Sequence, residues 1–251
     1  MNKKFCGLAR SGNHALIFWF LHNISDTFSE IAFQAYADSA QSVCFLNNYN
    51  NLTKKHDLID LTKYQTIIYS YEDMVDDLEI DILILRDFLN LMSSRFKAYG
   101  LYVGPVLPQH GGIEYSRLDP TIILAWEQKY LNRFIRFTQI WKNHAKQYHK
   151  HILYNRWVLD KTYRDFISIE KLNIENKKDN TEYISIIGGG SSFNNLQPIT
   201  DKDTYNKRFK LSQLPKQFLK YMLSDKELLD LNKDIFNIDI KLELNNVLYN
   251  Q

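Results

Sequence analysis

The sequence predicts an α/β fold, a three-layer sandwich around a mostly parallel central sheet. Three observations lead there. The chain opens on a strand, a glycine-holding turn and a helix, over Lys4-Phe5-Cys6-Gly7-Leu8-Ala9-Arg10-Ser11-Gly12-Asn13-His14-Ala15-Leu16-Ile17-Phe18-Trp19-Phe20. Apolar runs of strand length then alternate with helix-patterned segments. One run, Asp81-Ile82-Leu83-Ile84-Leu85-Arg86-Asp87, is apolar throughout its middle, as a strand covered on both faces is. Neither a repeat nor a linker interrupts the 251 residues, so a single domain over 1–251 is expected.

The first strand starts as a short mixed apolar run, breaks at Arg10-Ser11-Gly12-Asn13, and gives way to a helix reaching about Asn23. Residues 25–63 carry little signal beyond a short strand at Val43-Cys44-Phe45-Leu46 and an exposed Asn- and Lys-rich loop from Asn47 to Lys55. A clear strand covers Gln65 to Glu72, and an acidic connection leads to the strand at 81–87. Phe88, Leu91, Met92 and Phe96 then form one helical face. The connection from Tyr99 to Asp119 is long enough to suggest a functional loop. The longest helix runs from Pro120 to about Gln147, with Ile122, Ile123, Trp126, Tyr130, Phe134, Phe137, Ile140, Trp141 and Ala145 as a core-facing stripe. A strand at His151-Ile152-Leu153-Tyr154 precedes a helix over Lys161–Leu172 with Asp160 as its cap. Lys177 to Thr181 is a polar break, Tyr183 to Ile187 a further apolar run into Gly188-Gly189-Gly190-Ser191-Ser192, and the chain from Leu211 reads as two helices with a polar tail.

Composition excludes several classes. With 45% hydrophobic and 24% charged residues the chain is an ordinary globular one, and its 14% aromatic content points to aromatic core layers or an aromatic-lined cleft. A net charge of +2 is too small to argue for nucleic acid or a membrane surface. The two cysteines give no disulfide framework; Cys6, inside the first strand, is expected as a buried, reduced thiol. No leader is read at the start, and no apolar run reaches the roughly 18 residues of a spanning helix, so a cytoplasmic protein is expected. The oligomeric state is left open.

The opening turn is a frame for a phosphate-like anion. Main-chain N–H groups at a helix start point outward, the helix dipole favours negative charge, and Arg10 adds a fixed cation. A second cation, Arg86, ends a central strand, and the following helix carries Ser94 eight positions on. Leu85-Arg86-Asp87 with Ser94 resembles the 3′-phosphate motif of sulfotransferases that use 3′-phosphoadenosine 5′-phosphosulfate (PAPS). Ala9-Arg10-Ser11-Gly12-Asn13-His14 resembles their 5′-phosphosulfate loop, and the order and separation of the two motifs fit that family over about residues 4–100. Ala9 stands where the family has Pro, and Asn13 and His14 where it has two Thr. The family's C-terminal Arg-Lys-Gly pattern is absent, with Gly188 to Phe193 in its place.

The resemblance implies a P-loop-like sulfotransferase fold and PAPS as co-substrate, with no metal. It implies that Arg10, Ser11, Gly12, Asn13 and His14 hold the 5′ end. Arg86 and Ser94 would hold the 3′-phosphate, and Gly189, Gly190 and Ser191 would cover the nucleotide. Sulfuryl transfer to an acceptor hydroxyl or amine needs a base. Glu72, ending the strand between the motifs, is the candidate, His110 is the runner-up, and Arg10 is the transition-state cation. A carbohydrate, a peptide tyrosine and a small alcohol all remain open as acceptors, with a slight lean towards a glycan. Asp87 is expected to pair with Arg86 or cap the next helix, and His144, His149 and His151 to be surface side chains rather than a ligand set. Two other readings stay open. A P-loop kinase or NTPase would need a second Gly and a Lys that this turn lacks. A nucleotide-binding protein without chemistry would fit the missing C-terminal cations.

Overall fold

The computed structural model describes residues 2–8, 12–24, 43–46, 62, 66–72, 79–99, 120–179 and 216–249. The expected loop at 47–55, most of the connection up to 119 and the apolar run at 183–187 lie outside the described residues. The chain divides into two compact units. One is formed by Met1–Arg86 and His149–Thr200, the other by Asp87–Tyr148 and Asp201–Gln251.

The first unit holds a sheet of five strands, β1 (Asn2–Gly7), β2 (Val43–Leu46), β3 (Thr66–Glu72), β4 (Ile82–Leu85) and β5 (His151–Leu153), in the order β2-β3-β1-β4-β5. Every pairing is parallel. The α/β expectation is met, and each strand expected from the sequence within the described residues is present. Buried residues adjacent in sequence, Phe5 with Cys6 and Ile67 with Ile68, put apolar groups on both faces of β1 and β3, as parallel sheets require. Each such large side chain contributes about 1.5–3 kcal/mol by leaving water. Asp81 brings β4 alongside β1: its carboxylate accepts the Lys4 N–H at 2.7 Å, and its own N–H donates to the Lys4 carbonyl at 3.1 Å.

Helix α1 (Asn13–Ile24) is buried almost all round, as a core helix is. Phe20 meets Phe5 edge-on at 5.5 Å and Trp19 meets Trp157 edge-on at 5.9 Å. Two helices follow β5, α4 (Tyr154–Leu159) and α5 (Lys161–Ile167). The sequence reading had no helix at α4, which starts directly off the strand with no side-chain cap to announce it. Asp160 caps α5 as expected, its carboxylate accepting the Tyr163 N–H at 3.0 Å. The helix expected through Leu172 ends earlier as an α-helix. At Ser168–Leu172 it widens into a π turn, closed by Asn173 in the left-handed region at φ 54°.

The segment after that turn is strapped down. Asn23 and Lys178 exchange hydrogen bonds, and Arg164, itself bonded to the carbonyls of Trp157 and Val158, forks onto the Asp179 carboxylate. The Arg164 hydrogen bonds hold the Asp179 carboxyl below its ordinary value, against the opposing effect of burial. A depressed carboxylate pKa stabilises the fold above the unfolded value, and that contribution is lost as pH falls through the folded one. The wild-type advantage over Asp179→Asn should therefore be full at pH 7 and shrink below about pH 4. Urea midpoints at both pH values check this; an equal difference at pH 3 and pH 7 would assign the strap to something other than this charge pair.

The second unit is helical: α2 (Phe88–Tyr99), α3 (Pro120–Ala145), α6 (Lys216–Ser224), α7 (Lys226–Phe236) and α8 (Ile240–Tyr249). Its core is aromatic. Phe88 meets Phe134 and Trp141 edge-on at 5.9 and 5.3 Å, and Phe134 stacks on Phe218 at 4.7 Å. The expected stripe of α3 is buried at Phe134, Phe137, Trp141 and Ala145. Asp87 caps α2, its Oδ1 accepting the Asn90 N–H at 2.9 Å, which is one of the two roles expected of it. Lys142 bonds Asp225 at 2.9 Å and Glu227 at 3.0 Å; burial works against its charge, but these partners outweigh it and raise its pKa.

Two expectations are corrected here. The C-terminal stretch holds three helices, not two and a polar tail. Asn237, left-handed at φ 54°, ends α7, and the Asp239 carboxylate accepts the Leu242 N–H at 3.1 Å to start α8. His144 and His151 are buried rather than on the surface, while His149 is exposed. His151 opens β5 beside Leu83, and burial pushes the His144 pKa down. Cys6 is buried, as expected. Among the described residues no helix is long and apolar enough to cross a membrane.

Candidate functional site

The strand order singles out one edge of the sheet. From β1 the chain leaves towards β2 and β3 on one side, while β4, on the other side of β1, hands it on to β5. Adjacent strands whose connections part in this way leave a crevice outside their carboxyl ends, where open α/β sheets bind ligands. The residues at that edge are the turn reaching Gly12 after β1, Arg86 after β4, Glu72 at the end of β3 and Tyr154 after β5.

Gly12 starts α1: its carbonyl accepts the Leu16 N–H at 3.1 Å. The N–H groups of Asn13, His14 and Ala15 therefore precede the first intrahelical donor, in the position that favours anions. Gly12 has φ +98°, a conformation glycine takes at no steric cost. Its open side is filled by a neighbour, since a Cβ there would stand 2.1 Å from Tyr154 Cε2 and 2.3 Å from Cδ2.

Asn13 is buried, and its amide nitrogen donates to the Tyr71 carbonyl at 3.0 Å and towards the Gly7 carbonyl at 3.5 Å. The side chain thus ties the ends of β1 and β3 together, and what Asn13 offers an anion is its main-chain N–H. His14 is half-buried in the same helical turn.

Arg86 is 4% exposed, and its guanidinium lies over the Tyr154 ring, 5.2 Å from the centroid. A cation on an aromatic face is worth about 0.5–2 kcal/mol. Tyr154 is itself backed by Trp157, stacked at 5.6 Å. One aromatic ring therefore touches both the glycine turn and the arginine.

Register places Glu72 beside Gly7, at the same edge. Its side chain, and Arg10, Ser11, His110, Gly189, Gly190 and Ser191, lie outside the described residues. Ser94 is buried on α2, in the second unit. Compared with protein-family models, with curated proteins and with solved structures, the chain matches none.

Sequence reasoning missed Tyr154. The signal available was its position: an aromatic residue directly after the apolar run of β5 falls at the carboxyl edge where ligands sit.

Proposed function

We propose that this protein is a cytoplasmic, PAPS-dependent sulfotransferase with a P-loop-like three-layer fold, acting on a hydroxyl or amine of a small molecule or, by preference, a glycan. One observation carries the reading: a positive-φ glycine turn and a buried arginine flank the carboxyl ends of adjacent parallel strands and share one tyrosine ring. PAPS has two separated anionic ends, and these are two anion-binding elements at one sheet edge. Arg86 forks to the 3′-phosphate. The first-turn N–H groups of α1, with Arg10, hold the phosphosulfate, and Gly189, Gly190 and Ser191 cover the nucleotide.

In the reaction the acceptor oxygen or nitrogen forms a bond to sulfur as the bond from sulfur to the 5′-phosphate oxygen breaks. The acceptor proton passes to Glu72, and adenosine 3′,5′-bisphosphate (PAP) departs. Catalysis rests on alignment and on the cation and N–H groups meeting charge on the sulfuryl oxygens.

The magnesium-dependent kinase reading needs a carboxylate such as Asp87, whose Oδ1 already caps α2. PAP should raise the thermal midpoint, by about 2.7 kcal/mol of linkage at one hundred times its Kd, and ATP with magnesium should not. Arg86→Ala should weaken PAP binding by about 1–3 kcal/mol, as loss of a charge-assisted bond does. A midpoint that responds to ATP with magnesium alone would replace this reading with the kinase. PAP binding without sulfation of any acceptor in a mixed screen would leave a nucleotide-binding protein. Unchanged PAP affinity in the variant would move the 3′ site elsewhere.

A further inference from the structure

We infer that Tyr154 is the positioning residue that holds the two anion-binding elements in one geometry; this rests on the PAPS reading above. Tyr154 is 4% exposed, and Trp157, which is wholly buried and meets Trp19 of α1 edge-on at 5.9 Å, stacks on its ring. The Tyr154 ring also makes two contacts of different kinds. The edge of the ring, at Cε2, Cδ2 and Cζ, fills the space beside Gly12 that any Cβ would occupy. Arg86 lies over the ring at 5.2 Å.

An arginine side chain has several rotatable bonds, and ordering it costs up to about 2 kcal/mol. A guanidinium already seated on an aromatic surface has met part of that cost before ligand arrives. The same ring limits where the turn at Gly12 can sit. A ligand with two anionic ends gains most from such a brace, because the distance between its two grips is set in advance. Tyr154 thus acts through Arg86 and the turn rather than by touching the reacting atoms.

The test is PAP binding, measured by titration calorimetry on the full chain, in a cycle of Tyr154 and Arg86 variants. Tyr154→Leu should weaken PAP about ten-fold, within the range of a desolvated cation–π contact. Tyr154→Phe, which keeps the ring, should restore affinity to within about two-fold of wild type, since the ring face rather than the hydroxyl carries the contact. In an Arg86→Ala background Tyr154→Leu should add less than about two-fold, because coupled residues are non-additive. Equal losses in both backgrounds, or none in either, would overturn the positioning role.

Should Tyr154→Leu fail to fold, a phenyl ring carrying zero, one or three fluorines at this position keeps the shape and drains the ring face. PAP affinity should fall stepwise along that series, and a flat series overturns the inference. A wild-type protein that does not bind PAP removes the functional reading itself. Wild-type binding without the coupling removes only the role of Tyr154.

Discussion

Gly12→Ala is expected to lower stability by about 2–5 kcal/mol and to abolish tight PAP binding. Two penalties act together. A φ of +98° is strained for alanine, at about 1–2 kcal/mol for the left-handed backbone. The added methyl would also stand 2.1 Å from a tyrosine ring carbon, and overpacking of this kind typically costs about 1–3 kcal/mol. The ring has little room to retreat, because Trp157 stacks on it. If it does move, it withdraws support from Arg86. The double variant Gly12→Ala with Tyr154→Leu separates the penalties: it should recover the packing share of the midpoint and keep the backbone share. Denaturant midpoints and PAP titrations measure both. Gly12→Ala with wild-type stability would show that the turn tolerates a side chain and that its geometry imposes no requirement for glycine.

The sheet was legible because its signals are local. Apolar runs at 66–72 and 82–85 fall between polar breaks, and even the four-residue β2 at 43–46 is marked by its contrast with the Asn-rich chain after it. What was illegible depends on contacts far apart in sequence. Asn13 reads as a turn residue, yet its amide is committed to the end of β3, a task visible only once β1 and β3 are paired. His151 reads as polar, but a parallel partner on β4 carries it into the interior. Tyr154 and Gly12 meet only through the strand order, which places β5 beyond β4. The missed helix α8 is a different case. Asn237 and Asp239 are local stop and start signals, and a stricter reading of caps finds them.

The strand order also bears on the choice of base. In the register of β1 with β3, Glu72 pairs with Gly7, so the main chain of Glu72 stands at the crevice edge, one strand from the opening turn. His110 has no such placement, because it belongs to the stretch outside the described residues. Glu72→Gln is accordingly expected to bind PAP like wild type and to lose turnover by about 100-fold or more, the usual scale for removing a general base. Glutamine keeps the shape of the carboxylate and cannot take the proton. If Glu72 takes the acceptor proton, kcat of the wild type should fall on the acid side as the carboxylate becomes protonated. Residual activity in Glu72→Gln should lack that limb. Turnover near wild type in the variant would exclude Glu72, and loss of the remaining activity on a further His110→Ala change would then identify the histidine as the proton acceptor.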